Sequence, residues 1–269
     1  DDMSIGNEVF SENDILNHVK NIGTNNKVHR SLIGQGYYDT ITPNVILRNI
    51  LENPGWYTQY TPYQPEISQG RLEALLNYQT VICDLTGMEI SNASLLDEAT
   101  SAAEAMTMLH GCRTRDQIKN EVNKFVVSND VFDQTLAVLE TRAEPLGIEI
   151  VLSNTDSIEI DEKVFGCLVQ YTGKTGKIND LETLSKKIEK SNCKLIVAAD
   201  LMSLTVLKEP SAFNSDVVIG TSQRFGIPLE YGGPHAGYFA TKKEYKRFIP
   251  GRIIGVSKDR NGNRALRMA

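Results

Sequence analysis

The chain has 269 residues, 41% of them hydrophobic and 23% charged, with a formal net charge of -6; it is long enough to bury a substantial core as one large or two small domains. The acidic balance excludes a general binder of nucleic-acid phosphates, which would display a basic face, and no run reaches the roughly 20 apolar residues of a membrane span. The acidic start DDMSIGNEVF is unlike a signal or transit peptide, while Cys83, Cys112, Cys167 and Cys193 lie far apart with no neighbouring His pair, which argues against zinc or a disulfide framework and for reduced, mostly buried thiols.

In chain order, SENDILNHVKNI predicts a helix capped by Ser11, and TPNVILRNILENPG a second with Pro43 near its start and Asn53-Pro54-Gly55 beyond its end. Between Trp56 and Ser68, three tyrosines, one tryptophan and two prolines predict a rigid aromatic loop. Leu72, Leu75, Leu76, Gln79 and Ile82 then recur at helical spacing, with Gly87 as the stop. From about residue 91 helices and strands alternate. NASLLDEATSAAEAMTMLHG and DQTLAVLETRAEPLG read as helices, and NDLETLSKKIEKSN as one whose Asn179 and Glu182 fit a capping box. KFVVS, IEIVLS, FGCLVQYT, KLIVAAD, DVVIGTS and HAGYFAT read as strands. This alternation predicts an α/β fold with a mostly parallel sheet covered by helices on both faces. Asn261-Gly262 near the end of the chain predicts a β-hairpin. Residues 1–90 are thus expected to form a helical segment with the aromatic loop, 91–250 the large α/β domain and 251–269 the hairpin.

Several short motifs lead to no chemistry. TGKTGK at 172–177 fails the phosphate-loop pattern, because glycine is needed at position 168 and Leu168 stands there; it reads as a polar turn. Asn92-Ala93-Ser94 matches a glycosylation sequon by chance. His18, His29 and His110 read as surface or helix-end residues, and His235, in a glycine-rich stretch, is a candidate to line a pocket. Arg71 is either a carboxylate clamp or a surface ion pair. Asp200 ends an apolar strand, where α/β sheets place ligand groups, although a helix cap is the competing reading. A carboxylate there, with another strand end about twenty residues on, is an arrangement that can hold a pyridinium nitrogen and a Schiff-base lysine.

Taken together, IGQGYYDT, ILENPGWYTQYTPYQPEISQGRLEALLNYQT, NASLLDEATSAAEA, SQRFGIPLEYGGPHAGYF and PGRIIGV resemble the glycine cleavage system P-protein family nearly end to end. The resemblance implies the pyridoxal-phosphate-dependent transferase fold of the aspartate-aminotransferase class. It also implies two similar halves, fused or separate, of which this chain is similar to the N-terminal one and, from its extent, a fragment. In the other half a His-Lys-Thr-Phe segment supplies the Schiff-base lysine. Aligned on Phe225, Pro228 and Gly232-Gly233, that lysine falls on Gln223, an amide that can hydrogen-bond but cannot condense with an aldehyde. Where the other half has an Asn-Ser-Gly-rich phosphate-binding turn, this chain has Leu96-Asp97-Glu98-Ala99-Thr100, whose carboxylates would repel a phosphate dianion. Where similar halves read His-Pro-Gln-Thr, it has Phe132-Asp133-Gln134-Thr135, leaving Phe132 to pack as an aromatic.

What the resemblance implies for function is decarboxylation of glycine through pyridoxal phosphate, with transfer of the aminomethyl group to the lipoyl arm of H-protein. The cofactor would be held covalently by the lysine-bearing partner half, and this half would complete that active site while being inactive alone. Tyr60, Thr61, Tyr63 and Gln64 of the aromatic loop are the candidates for contacting substrate; the competing reading makes the loop an interface anchor. Asp200, Gln223 and His235 mark a relic cofactor site, and no metal is expected. A second function class is a non-catalytic structural or regulatory dimerisation subunit. Bacterial cytoplasm and mitochondrial matrix both suit such a protein.

Overall fold

A computed structural model describes residues 9–269; residues 1–8, on which most of the expectation about a leader peptide rests, lie outside them. The chain divides into two units, Asp1–Ile33 and Gly34–Ala269. The first contains α1 (Glu12–Gly23), and the Ser11 hydroxyl accepts from the Asp14 N–H at 3.2 Å as the cap expected there.

The second unit is built on a seven-stranded sheet: β1 (Ile90–Ser91), β2 (Lys124–Ser128), β3 (Glu149–Ser153), β4 (Val164–Tyr171), β5 (Lys194–Ala199), β6 (Val217–Thr221) and β7 (Gly237–Thr241). Their order is β1-β7-β6-β5-β4-β2-β3. The five from β3 to β6 run parallel, and β7 and β1 pair antiparallel at one edge. The strand period of two divides the core. Leu195, Val197 and Ala199 of β5 face a layer with Ile82, Leu181 and Leu184, whereas Ile196 and Ala198 face a layer with Met106, Leu109 and Leu139. The first layer comes from α4 (Gln69–Thr86) and α8 (Leu181–Ile188), the second from α5 (Glu98–Gly111) and α7 (Asp133–Ala143). All eight residues of β4 are buried, which is why that strand reads as an unbroken apolar run. No described helix is long and apolar enough to cross a membrane.

The hairpin of β8 (Ile254–Lys258) and β9 (Arg264–Met268) turns at Asn261-Gly262, with Gly262 at φ +87°. It packs on α4 through Leu72, Ile254 and Leu266. Two glutamines of α4 serve its strand edges: Gln79 exchanges hydrogen bonds with the Ile254 backbone at 2.7 and 3.2 Å, and Gln69 with that of Leu266 at 2.8 and 2.9 Å. A polar Gln79 inside an otherwise apolar stripe is explained by that pairing. At the opposite end of the core, Asp216 is 4% exposed. It accepts from the Leu195 N–H at 3.0 Å, Lys242 Nζ at 3.0 Å, Tyr245 Oη at 3.3 Å and Lys194 Nζ at 3.4 Å.

Several local expectations are corrected. Asn53 does more than end a helix: its side chain accepts from the Gly55 N–H and caps the short α3 (Pro54–Tyr57), after α2 (Asn44–Ile46) has widened into a π-helical turn at Leu47–Leu51. The aromatic stretch therefore begins as helix and closes with a 3-10 turn at Pro65–Ile67. Asn92 to Leu96 is not helical, because β1 and the Leu95–Gly237 bridge tie it to β7, and α5 starts only after Asp97. The cap of α8 is Asp180, whose Oδ1 accepts from the N–H groups of Glu182 and Thr183; Asn179 is turned inward and donates to the Gln170 carbonyl. α6 (Arg115–Lys119) has the capping box, between Thr114 and Gln117. Of the four free thiols, Cys167 and Cys193 are buried, while Cys83 and Cys112 are only partly so. Asn92 is fully buried, so the sequon is no acceptor.

Candidate functional site

The carboxyl ends of β2, β4, β5 and β6 and the start of α5 converge on one edge of the sheet, the usual place for a ligand in a parallel α/β fold. Asp200 follows β5 directly and Gln223 lies just past the end of β6. The Gln223 side chain is 2% exposed, and its Nε2 donates to the carbonyls of Gly232 at 3.1 Å and Pro234 at 3.3 Å. The glycine-rich turn exists to allow this. Gly233 has φ +68°, and a Cβ on it would lie 2.4 Å from the Pro228 carbonyl and 2.9 Å from Gln223 Nε2. The amide thus spends both donors closing its own loop.

Asp200 is likewise engaged. Its Oδ1 accepts from the Met202 N–H at 3.0 Å, and its Oδ2 lies 3.4 Å from Arg224 Nε. The Arg224 guanidinium sits 5.0 Å from the centre of the Tyr38 ring. At the start of α5, Asp97 Oδ1 accepts from the Thr100 N–H at 2.6 Å, so the protein's own carboxylate holds the helix N-terminus.

Glu98, one residue on, is different. Burial pushes its carboxyl up to about 7; a hydrogen bond from Gln170 Nε2 at 3.0 Å pulls the other way, and the charges of Asp200 and Asp97 add to the rise. Against an ordinary value of 4.5, the folded chain keeps a proton through a window in which the unfolded chain has released it. Stability from this group is therefore greatest below pH 4.5 and falls as pH rises toward 7. The loss is on the order of 3 kcal/mol. Glu98→Gln is expected to flatten that slope, as read by urea denaturation at a series of pH values; an unchanged slope would place the proton elsewhere.

In front of Glu98 opens a cleft of about 180 Å³ whose walls include Gln35, Asp97, Phe132, Thr135 and His235. His235 lies on the wall of this cleft, with Nδ1 3.5 Å from Thr221 Oγ1 and its ring edge-on to Tyr37 at 5.8 Å. Asp200 and Gln223 are not among the lining residues, nor are Tyr60, Thr61, Tyr63 and Gln64. Those four are exposed; the Tyr60 hydroxyl donates to Gln64 Oε1 at 3.2 Å. Arg71 forms no ion pair among the described residues. It donates to the carbonyls of Gly55 at 2.6 Å and Thr58 at 3.1 Å and lies 5.8 Å from the Trp56 ring centre, tying the aromatic loop to α4.

Sequence reasoning did not find the Glu98–Gln170 contact or the part played by Gln35. A signal for the second was present in Gly34-Gln35-Gly36. All three residues have positive φ, and a Cβ on Gly36 would fall 2.8 Å from the Phe132 ring. The turn brings Gln35 to the start of α7, where its carbonyl accepts from Gln134 Nε2 at 2.8 Å.

Comparison with known proteins bears on this geometry. A family model described as glycine cleavage system P-protein matches residues 2–269. The glycine dehydrogenase (decarboxylating) of Flavobacterium johnsoniae is 57% identical over 260 residues, covering 97% of this chain and 27% of that protein. The protein of the same name from Nostoc punctiforme is 56% identical over 262 residues, covering 97% of this chain and 26% of its own length. The chain therefore spans about a quarter of the length of these relatives. A crystal structure of glycine decarboxylase (P-protein) of the glycine cleavage system in inhibitor-bound form superposes with a TM-score of 0.87 at 31% identity, covering 100% of this chain and 61% of that one. Sphingosine-1-phosphate lyase of Burkholderia pseudomallei, at 11% identity and a TM-score of 0.59 over 99% of this chain and 66% of its own, shares the fold.

Proposed function

This chain belongs to the glycine cleavage system P-protein family, and on that footing we propose that it is the lysine-less half of a glycine decarboxylase, inactive alone, which completes the active site of a lysine-bearing half. The observation that carries the reading is Gln223: a buried amide at a strand end, with both donors committed to its own turn. The relatives named above are bacterial, and we assign the chain to the cytoplasm. In this reading residues 1–90 are the arm that bears the aromatic loop, 91–250 the lysine-less domain and 251–269 the hairpin.

Pyridoxal phosphate needs an amine, an anion cradle and a carboxylate free for its ring nitrogen. The residues at this sheet edge do not fit it. Gln223 offers no amine, Asp97 occupies the helix N-terminus, and both oxygens of Asp200 already have partners. The cofactor belongs to the lysine-bearing half, and no step of its chemistry is assigned to this chain. What this chain supplies is surface. Tyr60, Thr61, Tyr63 and Gln64 are exposed on a proline-stiffened loop held at its base by Arg71. Hydroxyl and amide donors presented there can bind a small carboxylate such as that of glycine at low entropic cost. Glycine, the lysine-bearing half and lipoylated H-protein are the partners of the complete enzyme, and a dimer of halves is its minimum.

The test is reconstitution. The purified chain incubated with pyridoxal phosphate is expected to give no borohydride-trappable adduct. Adding a lysine-bearing half with H-protein is expected to restore glycine-dependent bicarbonate exchange. Exchange by this chain without that half, or cofactor trapped on it, would reject the division of labour.

A further inference from the structure

The cleft in front of Glu98 has a chemistry of its own. Asp97 and Glu98 both line it, and none of its lining residues is a lysine or arginine. An anion entering it would meet two carboxylates with no lysine or arginine beside them, the His235 imidazole being the basic group on the walls. Phe132, at 5% exposure, forms one wall and provides an aromatic surface. Thr135, on the first turn of α7, is 1% exposed, lines the cleft, and its hydroxyl has no hydrogen-bond partner among the described residues. Behind Glu98, Gln170 is also 1% exposed, and its Oε1 is unpartnered although its Nε2 serves Glu98. Buried polar atoms left this way cost free energy unless something pairs with them.

We propose that this cleft binds a small organic cation with a flat apolar body, an aryl amidinium or ammonium, with its charge on the Glu98 carboxylate and its ring against Phe132. A cavity of about 180 Å³ has room for a single-ring molecule of this kind. The cationic head would supply the donors that Glu98 lacks beyond Gln170, and the Thr135 hydroxyl can accept from the same head. Pairing with a cation opposes the burial that makes Glu98 hold its proton, so binding favours the ionised carboxylate and releases protons. The inference rests on the cleft and not on the division of labour between halves.

Benzamidine, benzyl alcohol and benzoate share a ring and differ in charge, and calorimetric titration of each into the intact chain separates charge from ring. Benzamidine is expected to bind at least about tenfold more tightly than benzyl alcohol, and benzoate not at all. Glu98→Gln is expected to weaken benzamidine by about tenfold and Thr135→Val by a few-fold. Equal binding of the alcohol or the benzoate, or full benzamidine affinity in a folded Glu98→Gln chain, would overturn the proposal. Should either variant not fold, the ranking of the three probes on the unaltered chain decides. No benzamidine binding sinks this inference and leaves the reconstitution result standing; trapped pyridoxal phosphate sinks the other reading alone.

Discussion

Gly237→Ala is expected to destabilise the chain by about 3 kcal/mol or more, since a single methyl is forced into close-packed backbone. A Cβ at Gly237 would lie 2.3 Å from the Asp97 carbonyl oxygen and 2.7 Å from Ser101 Oγ. That carbonyl cannot give way freely, because it accepts from the Ser101 N–H at 3.0 Å and from the Ser101 hydroxyl at 2.8 Å. Gly237 also exchanges two backbone hydrogen bonds with Leu95, at 2.6 and 3.1 Å. Moving β7 away from the start of α5 breaks these bonds and shifts Asp97 and Glu98. For a domain of this size the loss corresponds to a fall in Tm of roughly 6–12 °C, measurable by calorimetry. Gly255→Ala is the control: its Cβ would meet nothing within 4 Å. Equal effects from the two substitutions would show that lost glycine flexibility, rather than the Asp97 contact, is responsible.

Asp216→Ala is expected to cost about 3–5 kcal/mol. The carboxylate lies at 4% exposure between β5 and β7 and serves a backbone N–H, a tyrosine hydroxyl and two lysines. Lys194 and Lys242 can reach water when it is removed, so their share of the cost is small. The Leu195 N–H and the Tyr245 hydroxyl cannot, since both residues are buried, and each becomes an unsatisfied donor. Burial and the nearby Asp216 charge together hold the Tyr245 hydroxyl far above its ordinary value, so the phenol stays a donor at any pH at which the chain folds. Asp216→Asn keeps one acceptor oxygen and is expected to lose about half as much. The midpoint of chemical denaturation checks both. Equal midpoints for Asp216→Ala and the unaltered chain would mean that the four contacts contribute nothing net.

The framework was legible in the sequence where one signal dominated. Unbroken apolar runs such as FGCLVQYT and KLIVAAD announced strands buried on both faces, and β4 and β5 occupy those positions. The Asn261-Gly262 pair announced the hairpin. The boundary of α5 was not legible, because the residues before Asp97 are held out of the helix by a bridge to β7 that local propensity cannot foresee. The capping of α8 slipped by one residue for a similar reason. Asn179 and Asp180 are both good caps, and tertiary demand decided between them by drawing Asn179 into the core. Strand-end logic pointed to Asp200 and to the strand end after it, the family resemblance placed Gln223 there, and the structure puts Asp200 directly after β5 and Gln223 just past β6. Glu98 was read with Asp97 as a carboxylate repelling phosphate at a helix start, and nothing local reveals that Gln170, 72 positions away, donates to it.

The way Gln223 is held has a consequence for engineering. An amide sewn into its own turn, beside an acid already matched to Arg224 and a helix end already stoppered by Asp97, does not become a reactive amine site by one codon change. A lysine placed at that position alone would arrive without a counter-ion, a cradle or a free acid to work with.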